Sequence, residues 1–317
     1  MDKIKLKGLP SQQILQTKLQ KTISTAWNAN DKIPPRKIEK WLENFTGDAL
    51  CSDYSSKDKA KEIERQIALF LLCNFVYYNE NEIKHLMKTM FNNYAHSVFT
   101  AENKNIVNDN DFDNLLNITQ FTYMGDISES SAHLLYLFRQ ENELSKYNFN
   151  KKLQTKNIVF VDDFSITGSQ AYAYIEKYKS ENAISNEQIF ILLMIATDTA
   201  INELKKINDI ILLPCIVMDT KSQTFSDSSI VFEGYEELYK NQAQKMCEYY
   251  GNQIANDSKT TPLGYKNGGY LFGAYYNIPD NTMPIFWVQS NSWNGLFKRY
   301  AKKYSINSNI TWGGRYV

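Results

Sequence analysis

A short apolar run that ends in two adjacent carboxylates constrains the fold of this chain more than any other segment does. Residues 158–161 are apolar at every position, which predicts a short buried strand, and Asp162 and Asp163 follow directly. After a small polar turn, apolar residues recur at spacings of three and four, which predicts an amphipathic helix. The segment therefore predicts a strand, a turn and a helix, with two acids at the carboxyl end of the strand.

The turn between this strand and its helix has the composition of a phosphate-binding loop. Free backbone N–H groups at a helix start, together with small hydroxyl side chains, form a cradle for a phosphate dianion. Carboxylates just before the turn suit sugar hydroxyls or Mg²⁺. A phosphate and a polyol held side by side indicate a phosphorylated ribose, although an ordinary helix N-cap after two acids also fits. The candidate binding residues of the turn are Ser165, Ile166, Thr167, Gly168, Ser169 and Gln170.

The length and amino-acid composition of the chain exclude several classes of protein. The chain has 317 residues, of which 43% are hydrophobic, enough for one large domain or two modest ones. Lys+Arg and Asp+Glu number 35 each, so no overall charge favours nucleic acid. The four cysteines and three histidines are scattered, which predicts reduced thiols and no zinc site. A charged N-terminal segment and short apolar runs predict a soluble, cytoplasmic protein without a membrane partner.

The hydrophobic patterning divides the chain into three predicted regions. Residues 1–115 are predicted to be an N-terminal helical region, and residues 233–317 a C-terminal cap of irregular strands and loops. Between them, residues 116–232 alternate apolar strands with amphipathic helices, which predicts an α/β core with a parallel sheet flanked by helices. Ligands of such sheets bind at the carboxyl ends of the strands, where Asp162 and Asp163 are expected.

Individual elements can be predicted within these regions. Residues 77–82 are predicted to form a turn between two helices of the first region. Thr197 and Asp198 follow a long apolar run, and capping of the next helix is favoured there over contact with a nucleobase. The strands of the core are predicted at residues 119–124, 158–161, 189–196 and 210–218.

A second loop stands in the position expected for another anion site. Ser128, Ser130 and Ser131 lie between a predicted strand and a helix, and their hydroxyl and N–H groups could hold a phosphate. Asp126 and Glu129 add negative charge to the same loop. Either Mg²⁺ bridges these acids to an anion, or the loop is a helix N-cap whose acids complement the helix dipole.

The strand, acidic pair, Thr-Gly turn and helix together resemble the binding motif for 5-phosphoribosyl 1-pyrophosphate (PRPP) of type I phosphoribosyltransferases. The resemblance implies that Asp162 and Asp163 are catalytic residues that contact the ribose hydroxyls and bind Mg²⁺. It also implies that residues 165–170 wrap the 5′-phosphate and that the three serines of the second loop contact pyrophosphate. The family usually has Thr at the last position of the motif loop, where this chain has Gln170.

Longer segments resemble a divergent phosphoribosyltransferase-like subgroup of bacterial conflict systems, which includes retron-type anti-phage operons. The resemblance covers roughly residues 35–300 and includes segments 125–139 and 262–299. It implies a type I phosphoribosyltransferase-like α/β fold with a hood-like cap at the C-terminus. It also implies PRPP or a nucleotide as ligand, and a defence-system partner that is a protein or a ribonucleoprotein.

The sequence is compatible with several functions. The family's flexible catalytic hairpin would fall at residues 140–157, which are too short and polar for it, and residues 265–284 could supply a lid instead. The chain could be an enzyme that acts at ribose C1 by transfer or hydrolysis, a PRPP or nucleotide sensor, or a structural subunit. A phosphoacceptor at Asp162 is a further alternative, but it leaves the Thr-Gly-Ser turn unexplained. The acceptor and the oligomeric state, including a homo-oligomer, stay open.

The C-terminal segment also contains basic residues. Lys298 and Arg299 are followed by further lysines, and a solvated basic face is favoured there over a site for phosphate or RNA.

Overall fold

The structure is a computed structural model that describes residues 6–104, 107–125, 130–145, 149, 155–182, 187–258 and 261–299. Its helices are α1 (Gln12–Thr25), α2 (Pro35–Leu42), α3 (Lys57–Cys73), α4 (Glu80–Ala101), α5 (Asp109–Asn117), α6 (Ser130–Glu141), α7 (Ser169–Glu181), α8 (Asp198–Leu204) and α9 (Glu237–Ser258). Its strands are β1 (Val76–Tyr78), β2 (Thr119–Tyr123), β3 (Asn157–Ser165), β4 (Gln188–Thr197), β5 (Ile210–Met218) and β6 (Phe272–Ala274).

The centre of the molecule is a parallel sheet of four strands in the order β2-β3-β4-β5. α6, α7 and α8 connect successive strands of this sheet. β4 is buried at every position after Gln188, as expected for a central parallel strand that is covered on both faces. The predicted fold class, an α/β protein with a helix-flanked parallel sheet, is therefore confirmed.

Alternate side chains of β3 point to opposite faces of the sheet. Val159 and Val161 pack in the hydrophobic cluster that contains residues of α4 and α6. Ile158 and Phe160 pack in the cluster on the other face, which contains residues of α7 and α8. Because α4 precedes residue 115, the core of the sheet extends into the predicted N-terminal helical region. The predicted domain boundaries themselves stay predictions.

The prediction of a turn at residues 77–82 was wrong. Tyr77 and Tyr78 belong to β1, which pairs in parallel with β6 near the C-terminus. Asn79 then caps α4 in a capping box with Glu82. The partner strand lies far along the chain, and a strand of three residues has too short an alternation to be recognised locally.

A third hydrophobic cluster joins the N-terminal and C-terminal regions. It is formed by α1, α2, α3 and α9 together with loops from the C-terminal region. The Trp41 indole stacks on Phe286 with ring centroids 5.5 Å apart and donates to the Ile285 carbonyl at 2.7 Å. α2 is thereby fixed to residues 285–286. Within the described residues, no helix combines the length and the apolar character that crossing a membrane requires.

The carboxylate of Glu64 is buried in this third cluster and holds several of its segments together. The side chain of Glu64 is fully buried and accepts from the Gly47 and Leu50 backbone N–H groups at 2.7 and 2.9 Å. It also accepts from the Tyr250 hydroxyl at 2.6 Å. Burial, assisted by this hydrogen bond, raises the pKa of Tyr250, so the hydroxyl stays a donor. Glu64 therefore joins α3 to α9 and to the loop that follows α2.

We expect Glu64→Gln to lower the free energy of unfolding by about 2 kcal/mol, since charge-assisted hydrogen bonds to a buried acceptor are weakened. Chemical denaturation monitored by circular dichroism measures the change. Glu39→Gln, on the exposed face of α2, is the matched control and should leave stability nearly unchanged. Equal stabilities of the two variants would contradict the role given to Glu64.

Candidate active site

A cleft of about 920 Å³ lies at the carboxyl end of β3. One wall comes from β3 and the turn that follows it. A second wall comes from residues 274–281, and further lining comes from residues 31–33, from Lys37 of α2, from His133 of α6 and from residues 296–299. The cleft is therefore shared by the α/β core, the N-terminal region and the C-terminal region.

The acid pair lies within β3 rather than beyond its end. Asp162 pairs in register with Leu193 of β4, and the ladder continues to Ser165. The prediction that the strand ends at residue 161 was wrong, because the long apolar β4 provides backbone partners that extend β3 across its polar residues. Both carboxylates line the cleft.

Asp163 is buried and is held by groups from two parts of the chain. Its Oδ1 accepts from the Phe164 N–H at 2.8 Å, and its Oδ2 accepts from the Tyr276 hydroxyl at 3.2 Å. Desolvation, followed by the charge of Asp163, raises the pKa of Tyr276 well above its ordinary value, so this hydroxyl remains a donor. Asp162 is less buried, and its Oδ1 accepts from the Asp163 N–H at 3.0 Å. The two carboxylates are thus differently held, and Asp163 is joined to the C-terminal wall through Tyr276.

The turn after β3 is tightly packed against α8. Gly168 has φ 72°, in the left-handed region, and a Cβ there would lie 2.9 Å from the Ala200 carbonyl oxygen. The Thr197 hydroxyl donates to the Ile166 carbonyl at 2.5 Å and accepts from the Ala200 N–H at 3.1 Å. Thr197 is therefore the N-cap of α8, which confirms the predicted capping role.

The sequence of the turn leaves the start of α7 without a side-chain cap. Gly168 occupies the N-cap position and has no side chain that could accept from the first N–H groups of the helix. Ser169 does not line the cleft, and its hydroxyl lies 3.2 Å from the Lys266 ammonium, which donates to it. The other predicted residues of the turn line the cleft: Ser165, Ile166, Thr167, Gly168 and Gln170.

The second predicted loop is only partly within the described residues. Ser128 lies outside them, and so do the side chains of Ser130 and Ser131, whose backbone begins α6. His133, one turn into α6, lines the cleft with its ring centroid 5.9 Å from that of Tyr276. The amino end of α6 therefore lies next to the cleft, and the predicted serine contacts stay predictions.

Residues 274–281 form the C-terminal wall, within the segment predicted to supply a lid. β6 fixes the start of this wall through its pairing with β1. Asn281 donates to the Tyr265 carbonyl at 3.0 Å and so closes the segment on itself. The Asn277 side-chain oxygen is buried and has no hydrogen-bond partner among the described residues. A lid function stays a prediction.

Four basic residues of the cleft were not predicted as binding residues: Lys32, Lys37, Lys298 and Arg299. The interpretation of Arg299 as part of a solvated face was wrong. Its side chain is only 20% exposed, donates to the Ile278 carbonyl and lies 3.5 Å from Asp280. Its guanidinium lies 5.0 Å from the Trp287 ring centroid. These partners surround the side chain and explain why it is buried.

Within the part of the chain that is described, no three His, Cys, Asp or Glu residues are grouped as metal ligands. Asp162 and Asp163 provide carboxylate oxygens, which are the ligand type that Mg²⁺ takes together with phosphate oxygens.

Comparison with known proteins identifies a family for this chain. The model of a protein family described as PRTase-CE matches residues 38–299, which include the acid pair, the turn and most of the cleft. Among curated proteins, none matches the chain. Because the family match covers most of the sequence, the chain belongs to the PRTase-CE family of phosphoribosyltransferase-like proteins.

Proposed function

We propose that this protein binds PRPP, or a nucleotide that contains ribose 5-phosphate, and acts at C1 of its ribose by transfer or hydrolysis. One observation carries the proposal: the acid pair and the turn before the uncapped start of α7 line the same cleft. The family membership supports the same class of ligand.

The 5′-phosphate binds at the turn in this proposal. The first N–H groups of α7 and the Thr167 hydroxyl provide donors, and the helix dipole favours an anion there. Lys266 brings a positive charge to Ser169, adjacent to the turn. Close packing of Gly168 on α8 fixes the backbone of the turn before the ligand arrives.

The acid pair contacts the ribose. Asp162 and Asp163 accept from its 2′- and 3′-hydroxyls, and the Tyr276 hydroxyl keeps Asp163 in place. These carboxylates would also hold Mg²⁺, which when bound supplies positive charge against phosphate oxygens. Pyrophosphate contacts by Ser128, Ser130 and Ser131 remain an expectation from the resemblance.

The chemistry of PRPP at C1 breaks the bond between C1 and the pyrophosphate oxygen, and the electron pair leaves with pyrophosphate. A nitrogen base or water forms the new bond to C1 and loses its proton. Positive charge develops on the sugar, and the nearby carboxylates stabilise it. The chain contributes mainly by positioning the ligand and by excluding water from the covered cleft.

A sensor without turnover is the second candidate. The C-terminal wall is tied to the N-terminal region by pairing of β1 with β6, which favours a fixed cover over a mobile catalytic lid. The resemblance to conflict-system proteins extends both candidates. In anti-phage defence, turnover would deplete a nucleotide, whereas occupancy would signal to a protein or ribonucleoprotein partner.

Asp162→Asn and Asp163→Asn test the enzyme directly. We expect each to reduce release of pyrophosphate or free base by about 100-fold, the size typical of losing one electrostatic stabiliser. Purified protein is incubated with Mg²⁺ and PRPP or nucleotides, and binding is followed by calorimetry. Asp113→Asn, on the exposed face of α5, is the control. Saturable binding without turnover by the unsubstituted protein supports the sensor, and absence of binding overturns both candidates.

Gly168→Ala tests the phosphate-binding turn. We expect ribose 5-phosphate affinity to fall by about tenfold or more, because the new Cβ strains the left-handed backbone and displaces the turn from α8. Gly234→Ala is a matched control: its φ is 79°, yet no atom lies within 4 Å of the added Cβ. Calorimetry should show unchanged affinity in the control. Equal affinities in the two variants would remove the turn from the binding site.

A further inference from the structure

We propose that the cleft holds a second phosphate-type anion, a pyrophosphate or polyphosphate arm, on a cationic wall built by Lys32, Lys37, Lys298 and Arg299. All four residues line the cleft, and all four lie outside the parallel-sheet core. The inference rests on the proposed function and assigns a place to the group that leaves from C1. It assigns that group to these basic side chains instead of to Ser128, Ser130 and Ser131.

Like charges are brought together at this wall. The Lys37 ammonium is half-buried and donates to the Lys32 carbonyl at 3.1 Å. Burial, followed by the charge of Lys298, lowers the pKa of Lys37. Among the ion pairs of the described residues, none includes Lys32, Lys37 or Lys298. An anion in the cleft would offset the repulsion between these ammonium groups.

Arg299 connects this wall to the acid pair. Asp280 and Asp163 both act electrostatically on its guanidinium, which places Arg299 near the carboxylates expected to hold the ribose. The Lys32 ammonium lies 4.7 Å from the Tyr275 ring centroid. Asp31 also lines the cleft, so the wall is not purely basic. The turn before α7, the acid pair and the basic residues nevertheless line one cleft, which suits a ligand whose sugar carries two anionic groups.

The wall is fixed by contacts behind it. Trp41, one turn after Lys37 on α2, donates to the Ile285 carbonyl. The Phe286 carbonyl accepts from the N–H groups of Leu296 and Phe297, which immediately precede the two basic residues of the C-terminal segment. α2 and residues 296–297 are thus both attached to residues 285–286, so the backbone that carries Lys37, Lys298 and Arg299 is held in place before a ligand binds.

The loop after β2 is a poorer place for the second anion. Its sequence includes Asp126 and Glu129, whose charges repel a polyanion unless a cation intervenes. At the cationic wall the four basic residues outnumber the two neighbouring acids, Asp31 and Asp280. A phosphoribosyl compound with a diphosphate at C1 would occupy both anion sites, the turn before α7 and the cationic wall. Ribose 5-phosphate would occupy only the turn.

Calorimetry with inorganic pyrophosphate, ribose 5-phosphate and PRPP tests this assignment, at fixed Mg²⁺ and ionic strength. For Lys37→Met and Lys298→Met we expect affinity for pyrophosphate and PRPP to fall by about tenfold or more. Affinity for ribose 5-phosphate should stay within about twofold. Lys40→Met, an exposed position of the same α2, is the matched control and should change none of the three. Thermal unfolding confirms that each variant is folded.

The outcomes separate this inference from the proposed function. Unchanged affinity for pyrophosphate and PRPP in the lysine variants overturns the cationic wall, even when ribose 5-phosphate still binds. Loss of pyrophosphate binding in Ser130→Ala or Ser131→Ala, with the lysine variants unaffected, overturns it in favour of the loop. Failure of the unsubstituted protein to bind ribose 5-phosphate and PRPP overturns the proposed function. Lysine-dependent binding of pyrophosphate would then still support the wall.

Discussion

Pairing of β3 with β4 is the constraint on which the rest of the site depends. The ladder extends through Asp162 to Ser165 and so determines where the acid pair and the following turn lie. The same β4 ends at Thr197, whose hydroxyl caps α8 and binds the Ile166 carbonyl. One strand therefore sets both the direction of the carboxylates and the backbone of the turn. Without that ladder, β3 would end before Asp162, and the two acids would lie in a loop whose direction the sheet does not determine.

The cleft is a covered site because the N-terminal and C-terminal regions meet beside the sheet. β1 and β6 pair in parallel, and Tyr276 follows β6 closely enough to reach Asp163. This hydrogen bond joins the C-terminal wall to the carboxylate pair. A buried carboxylate requires such donors, because an unpaired charge in a desolvated place is costly. The cover and the acid pair are thus mutually dependent, and the α/β core alone would leave Asp163 without this donor.

Sequence patterning predicted the elements whose signals are local. The strand predicted at residues 210–218 coincides with β5. It was recognisable because a continuous apolar run is bounded there by polar residues on both sides. Helix capping by Thr197 or Asp198 was predicted from their place between a strand and a helix, and Thr197 is the residue that caps. Patterning could not reveal β1, since its partner β6 is distant in sequence, nor the burial of Arg299, which depends on Trp287 and on a tertiary carbonyl contact. Contacts between distant segments determine both.

The contrast between local signals and contacts between distant segments also explains how charge is distributed in the cleft. The carboxylates lie on β3, where a motif of consecutive residues makes them recognisable. The cations come from α2, from the segment before it and from residues 298–299, and tertiary contacts to residues 285–286 bring them together. Opposite charges on separate segments suit a ligand with a hydroxyl-bearing centre and anionic ends, since each part meets groups of complementary character. The cleft that the acid pair lines is therefore built by the N-terminal and C-terminal regions as well as by the motif within the sheet.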